Sequence, residues 1–121
     1  MTQIQEMDAE SINEKGESLG EKYANRGVKS HQIRRVYSSV KRAEAEFKSE
    51  DKEEARRTLT LVKPHLAYAA SRDDSMQDFM DDVSDLIDDA VEDDGSMENF
   101  FEIMEAVVAY HSYYSQKGGG Y

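Results

Sequence analysis

An acidic run, DDVSDLIDDAVEDD at residues 81–94, is the first feature of the sequence whose residue types could do chemistry. Carboxylates four residues apart on a helix can bind Mg²⁺ or Ca²⁺, and one predicted helix face carries Asp78, Asp82, Asp85 and Asp89. The spacing is not that of an EF-hand loop, and a metal site in a helical bundle needs carboxylates that point inward. We therefore favour the solvated side of an amphipathic helix and predict no metal site. A carboxylate-metal enzyme is the alternative, which calorimetry with divalent ions would test.

The other residue types that usually support catalysis are absent or isolated. His31, His65 and His111 fall in three different predicted helices and form no HExxH or HxxxH pair, so each is expected to be a satisfied or exposed histidine. The sequence contains no Cys, which excludes thiolate nucleophiles, disulfides and Cys-ligated zinc. No nucleophile elbow, Walker motif or dinucleotide fingerprint occurs. The sequence predicts a protein without catalytic residues or cofactors.

Three tyrosines near the end of the chain offer two interpretations. Tyr110, Tyr113 and Tyr114 could stack on nucleic-acid bases, as aromatic side chains do in single-strand binders. A cluster at helical spacing more often packs against a neighbouring helix. We favour packing.

The distribution of charge is more informative than the net charge of −11. Residues 22–72 hold thirteen Lys or Arg and six acids, whereas residues 73–105 hold fourteen acids and no Lys or Arg. A polyanion senses the local field within about 8 Å at physiological salt, so a local excess of positive charge can attract it. Salt bridges to the glutamates of the basic block are the alternative, but they cannot neutralise the whole excess. An anionic partner is favoured.

No base-reading motif accompanies these cations, so we expect contacts to phosphates that do not depend on base sequence. The residues predicted to contact phosphates are the basic side chains of two successive helices and of the sharp charge boundary at residue 72. They are Arg34, Arg35, Lys41, Arg42, Lys48, Lys52, Arg56, Lys63 and Arg72.

The two helices that carry the basic block are predicted from apolar spacing. Ser30 is a favourable N-cap for the first, which extends to about Phe47 with its cations opposite its apolar face. The second pattern, within residues 49–71, is interrupted by Pro64, which predicts either a kink or a new helix that starts there. The two helices are expected to lie side by side as a hairpin.

Two further helices are predicted after the basic block. Ser75 is expected to cap the first, whose apolar residues keep a three-four spacing to Val91. Gly95 is expected to end it in the left-handed conformation, and Ser96 is expected to cap the second. No convincing strand occurs, so the predicted fold is all-α, a compact bundle of about five helices.

The predicted organisation is one domain with distinct ends. Residues 1–29 form a weakly defined helical segment, residues 30–115 form the helical core, and residues 116–121, which include GGGY, form a flexible tail. Neither a membrane span nor a signal sequence is recognisable. The expected location is the cytoplasm, without a membrane partner.

Three segments carry a resemblance to a known family: SHQIRRVYSSV at 30–40, LVKPHLAYAASR at 61–72 and FFEIMEAVVAYHSYY at 100–114. In this order and at comparable spacing they resemble the small subunit of the type III-A CRISPR effector, the Csm complex. The chain departs from the family pattern by an inserted His31, by Ser71 where Gly is usual, and by the ending YSQKGGGY. The first 29 residues contribute nothing to the resemblance.

The resemblance implies a non-catalytic helical subunit of an antiviral complex, present in several copies along a filament of backbone subunits. It implies that the residues predicted to contact phosphates are RNA-binding residues, which contact the backbones of the guide RNA and target RNA. It also implies that another subunit cleaves the target RNA. The implied protein partners are the backbone subunits, the large signature subunit and neighbouring copies of itself. A subunit that serves assembly alone, with incidental RNA contact, is the rival interpretation.

Overall fold

Five α-helices make up most of residues 4–118, which are the residues that the computed structural model describes, with side chains to residue 116. They are α1 (Ala9–Asn25), α2 (Ser30–Lys48), α3 (Lys52–Arg72), α4 (Gln77–Ala90) and α5 (Asp94–Gly118). Short 3-10 turns, Ile4–Glu6 and Asp74–Met76, precede α1 and α4. The described residues contain no strand, which confirms the predicted all-α bundle. The predicted flexible tail lies partly outside the described residues, at 119–121.

Helix α5 is the centre of the bundle and packs against α1, α2 and α4, while α3 packs between α2 and α4. Five of the described side chains along α5 have no accessible surface, because the apolar residues recur at helical spacing: Met97, Phe100, Ile103, Met104 and Val107. Burial of side chains of this size stabilises a fold by about 1.5–3 kcal/mol each. On the α4 side, the Tyr23 ring of α1 meets the Phe79 ring edge to face, with centroids 5.0 Å apart.

Helix α1 approaches α5 through two buried glycines, Gly16 and Gly20. A Cβ atom built on Gly16 would overlap the Cβ of Ala106. A Cβ atom on Gly20 would lie 2.7 Å from the backbone nitrogen of His111 and 2.9 Å from the carbonyl oxygen of Val107. The two helices therefore touch backbone to backbone, and only residues without a side chain permit this approach.

Helix α3 passes through Pro64 as a single helix of 21 residues, so no new helix starts there. Proline lacks the N–H that would bond to the carbonyl four residues earlier, at Thr60. Both Thr60 and Pro64 are exposed, so water can satisfy the free carbonyl. The exposed position makes an interior proline tolerable.

The predicted serine caps are wrong, since each helix or turn begins one to three residues earlier. Lys29 precedes α2, and its backbone N–H donates to the side chain of Gln32 at 3.1 Å. Asp73 accepts from the backbone nitrogen of Ser75 at 3.0 Å, and Asp93 accepts from that of Ser96 at 2.7 Å. A carboxylate is a strong acceptor for free N–H groups at a helix start, so the upstream aspartates take the role.

The predicted left-handed residue at Gly95 is also wrong, because Gly95 lies inside the first turn of α5. Among the described residues, positive φ angles occur at Gly27 and Glu50, in the α1–α2 and α2–α3 connections. These are the sharp turns of the fold, and the second of them connects α2 to α3.

Candidate nucleic-acid interface

Helices α2 and α3 lie side by side as an antiparallel hairpin, as predicted, and hydrogen bonds tie its two ends. Near the closed end, the hydroxyl of Thr58 donates to Glu46 at 2.7 Å. Near the open end, the side-chain amide of Gln32 donates to Asp73 at 3.0 Å. The hairpin holds the predicted RNA-binding side chains on a rigid pair of helices.

The cations of α2 do not form a single face. At about 100° per residue, Arg35 and Arg42 project on the flank that faces α3, whereas Arg34 projects on the opposite flank with Lys41 and Lys48. Consistent with this division, Arg35 lines a groove shared with α3. The hairpin therefore presents two separate groups of positive charge.

Lys41 and Lys48 are bound by one acid of their own helix. Glu44 accepts from Lys41 at 2.9 Å and pairs with Lys48 at 3.4 Å. Partial burial acts to raise the pKa of the Glu44 carboxyl, but the hydrogen bonds and charges of the two lysines outweigh it and lower that pKa. Glu44 thus stays ionised and offsets part of the positive charge of this flank.

On α3, three of the predicted RNA-binding residues face the acidic half of the molecule. The guanidinium of Arg56 donates to the carbonyl oxygen of Val91 at 3.0 Å and to Asp94 at 3.3 Å. Lys52 lies 3.8 Å from the same Asp94. Lys63 pairs with an acid as well, Asp88 of α4. These cations hold α3 to α4 and to the start of α5, so they are poorly placed to contact RNA.

The acidic face of α4 is not simply solvated, which corrects the sequence-based interpretation. Asp82 accepts hydrogen bonds from the ammonium of Lys22 at 2.8 Å and from the hydroxyl of Tyr23 at 2.9 Å. Asp78 lies 3.0 Å from Arg26, without hydrogen-bond geometry. Burial, followed by the charge of Asp82, raises the pKa of Tyr23. Within residues 4–116 no group of three or more acids or histidines is arranged to hold a metal ion.

Five guanidinium groups on α2 and α3 have no acid partner among the described residues, and all five are exposed. Arg57 belongs to this set although it was not among the predicted RNA-binding residues. Its neighbour Arg56 instead points toward Val91 and Asp94. The orientation of α3 in the bundle decides which of the two arginines is exposed. The set consists of Arg34, Arg35, Arg42, Arg57 and Arg72.

A groove of about 570 Å³ separates the outer faces of α2 and α3 near the open end of the hairpin. Its walls carry the basic and aromatic side chains His31, Arg35, His65, Tyr68 and Arg72. One acid, Asp73, also lines it, but hydrogen bonds from Ser75 and Gln32 satisfy that carboxylate and lower its pKa. The groove therefore combines free cations with an aromatic ring.

The C-terminal tyrosines pack mainly against α1, the interpretation favoured from sequence. The hydroxyl of Tyr110 donates to Asn13 at 2.7 Å, and that of Tyr114 donates to Glu17 at 2.6 Å. The bond to Glu17 raises the pKa of Tyr114 to about 12. Tyr110 and Tyr114 stack with centroids 6.4 Å apart. These two half-buried rings are engaged with α1 through their hydroxyl groups, which favours packing over a platform for bases.

His111 is a buried structural histidine. Its Nε2 lies 2.7 Å from the carbonyl oxygen of Val28, in the α1–α2 connection. Burial lowers the pKa of His111 below its ordinary value of 6.5, although the bond to Val28 acts in the opposite direction. His111 therefore links α5 to the start of the hairpin as a neutral donor.

This arrangement predicts a pH-dependent stability. The unfolded chain takes up a proton on His111 at a higher pH than the folded protein, so the free energy of unfolding falls as the pH drops below about 6.5. His111→Gln keeps an N–H donor and is expected to reduce this fall. The measurement is the free energy of urea unfolding of the original protein and of His111→Gln at about pH 7.5 and about pH 5.5. An equal change in unfolding free energy for both proteins would contradict the assignment.

Comparison with known proteins adds one match. A family model described as Csm2 Type III-A matches residues 6–117, and thus includes most of the N-terminal segment in which sequence motifs gave no resemblance. No curated protein and no solved structure matches the chain. None of the helices in the described part of the chain is long and apolar enough to cross a membrane.

Proposed function

Because the chain belongs to the Csm2 family, the small subunit of the type III-A CRISPR Csm complex, we propose that it contacts the backbones of guide and target RNA in that complex. The proposed contact surface is the outer side of the α2–α3 hairpin. Its cations are the five exposed arginines without an acid partner among the described residues, Arg34, Arg35, Arg42, Arg57 and Arg72.

The observation that carries this proposal is the division of the hairpin's cations into those paired with acids and those without an acid partner. Lys41, Lys48, Lys52, Arg56 and Lys63 are bound by acids of the same chain, whereas the cations of α2 and α3 that are exposed and without an acid partner among the described residues are all arginines. A planar guanidinium binds phosphate with two parallel hydrogen bonds and is less strongly hydrated than an ammonium. The side chains best suited to phosphate are thus the ones left available.

A contact to phosphates also fits the task of a guide-dependent complex. Such a complex must accept any target sequence, so base pairing supplies specificity and the protein holds the backbone and its shape. The contact of one subunit is small and gains strength from repetition along the complex. We propose neighbouring copies, the backbone subunits and the large subunit as protein partners, a cytoplasmic location, and no catalytic step for this chain.

Crosslinking tests the contact directly. A complex reconstituted on target RNA that contains 4-thiouridine is irradiated, and the crosslinked peptides are identified by mass spectrometry. Bases beside the contacted phosphates should crosslink to peptides of residues 30–72. A complex that assembles and captures target without crosslinks in this range would support the rival function, assembly alone. Exposed Leu61 on α3 is the feature that favours that rival, since an apolar side chain suits a protein contact.

A further inference from the structure

Tyr68 is the most exposed large hydrophobic side chain of the described residues, at 63% of its full accessibility. It lies on α3 at the edge of the groove, beside two of the unpaired arginines, Arg35 and Arg72. Proteins that bind single-stranded nucleic acids place exposed aromatic rings next to cations. The bases stack on the rings, and the cations bind the phosphates. A contact to phosphates alone leaves this ring without a role.

Most of the Tyr68 side chain is open to water, and Arg72 makes both a hydrogen bond and a cation–π contact with it. Arg72 donates from Nη1 to the Tyr68 hydroxyl at 2.7 Å, and its guanidinium carbon lies 5.5 Å from the ring centroid. A group stacked flat on the ring would lie at about 3.5–4.0 Å. Arg72 therefore holds the hydroxyl end of the ring at a distance too long for flat stacking, and Tyr68 keeps 63% of its full accessibility, which leaves it open to a base. The hydrogen bond also orients the ring, which lowers the entropic cost of stacking.

The remainder of the groove suits one nucleotide. Its volume of about 570 Å³ is within the range of pockets that hold small molecules. The basic and imidazole groups of Arg35, His31 and His65 line its walls, and Val36 and Ala69 contribute apolar surface. The carboxylate of Asp73 accepts hydrogen bonds from Ser75 and Gln32 and stays ionised, so the groove walls carry the two guanidinium charges of Arg35 and Arg72 against one carboxylate.

We propose that this groove holds a single unpaired nucleotide of the bound RNA, with its base stacked on Tyr68 and its phosphate bound by Arg35 and Arg72. The proposal rests on the RNA contact proposed above and adds a ligand class to it: a base outside the duplex. Because every base has a stacking face, the site accepts any base and keeps the complex indifferent to target sequence.

Tyr68 variants in the reconstituted complex test the stacking. Tyr68→Leu removes the aromatic face and should weaken target capture at least about fivefold. Tyr68→Phe keeps the face, loses the hydroxyl, and should stay within about twofold of the original protein. Both variants are at the surface, and thermal melts of each should match those of the original subunit.

Abasic substitutions show whether a base is the partner. Single abasic positions are placed in turn along the target and the guide. At the stacked position, loss of the base should weaken capture by the original complex and have a smaller effect on the Tyr68→Leu complex. If no position shows this difference and Tyr68→Leu captures target normally, the nucleotide site is wrong.

The failure of this site is distinguishable from failure of the RNA contact. If neutralising Arg35, Arg42 and Arg57 weakens capture while Tyr68→Leu does not, the phosphate contact stands and the nucleotide site falls. If neither change affects capture by a complex that has assembled, both proposals are overturned.

Discussion

Replacing Gly20 by Ala is expected to destabilise the subunit by about 3 kcal/mol, equivalent to a drop of roughly 10 °C in Tm for a domain of this size. The new methyl group would lie 2.7 Å from the backbone nitrogen of His111 and from the Cβ of Tyr110. Backbone atoms of a central helix cannot turn aside as a flexible side chain can, so α1 must move away from α5. That movement would also strain the bonds from Tyr110 to Asn13 and from Tyr114 to Glu17.

The expected loss of stability in Gly20→Ala is opposite to the change that the helix propensities of glycine and alanine alone would give. Glycine is about 1 kcal/mol less favourable than alanine inside a helix, so a helix without close neighbours would be stabilised by the change. Gly95→Ala is the matched control, because the atoms nearest to its Cβ lie 3.6 Å away, at ordinary contact distance. We expect Gly95→Ala to leave Tm unchanged or to raise it. A Tm for Gly20→Ala at or above that of the original protein would contradict the close packing of α1 on α5.

The same glycines show where sequence patterns stop being informative. Helices α4 and α5 were predictable because their cores are built from side chains at regular helical spacing. Helix α1 buries backbone at Gly16 and Gly20, and buried backbone leaves no trace in a hydrophobic pattern. The spacing of four residues between two glycines in one helix was the signal available, since it places both on the same side. Two of the three predicted serine caps were wrong for a different reason, because Asp73 and Asp93, just upstream of Ser75 and Ser96, accept from the free N–H groups.

The candidate interface was predictable as a block of charge and not as a set of residues. Cations at residues 22–72 did lie mainly on a helical hairpin. Which of them stay free depends on partners far away in sequence, such as Asp94 for Arg56 and Asp88 for Lys63. Neighbouring residues such as Arg56 and Arg57 differ because they point about 100° apart, and one direction meets α4 while the other meets solvent.

Neutralising the unpaired arginines should weaken target capture strongly. Exposed ion pairs contribute about 0.2–1 kcal/mol each, so loss of three phosphate contacts in Arg35→Gln/Arg42→Gln/Arg57→Gln should reduce affinity by about threefold to a hundredfold per subunit contact. Repetition of the subunit multiplies the effect. Because phosphates carry no sequence information, targets of unrelated sequence should lose affinity to the same degree.

Lys41→Gln/Lys52→Gln/Lys63→Gln is the matched control for charge, because it removes three cations that acids of the same chain already bind. We expect target capture by this complex to stay near that of the original protein, with a modest loss of stability. Equal losses of capture in the two triple variants would mean that overall charge, and not the free arginines, governs RNA binding.

The salt dependence of target capture tests the central claim most directly, that the free arginines of the α2–α3 hairpin bind RNA phosphates. Each phosphate contact contributes roughly −0.7 to −0.9 to the slope of log affinity against log salt. In fully assembled complexes, Arg35→Gln/Arg42→Gln/Arg57→Gln should make the slope less steep by roughly 2 units or more, while the lysine control keeps the original slope. An unchanged slope and affinity for the arginine variant, in a complex of normal composition, would contradict the phosphate contact.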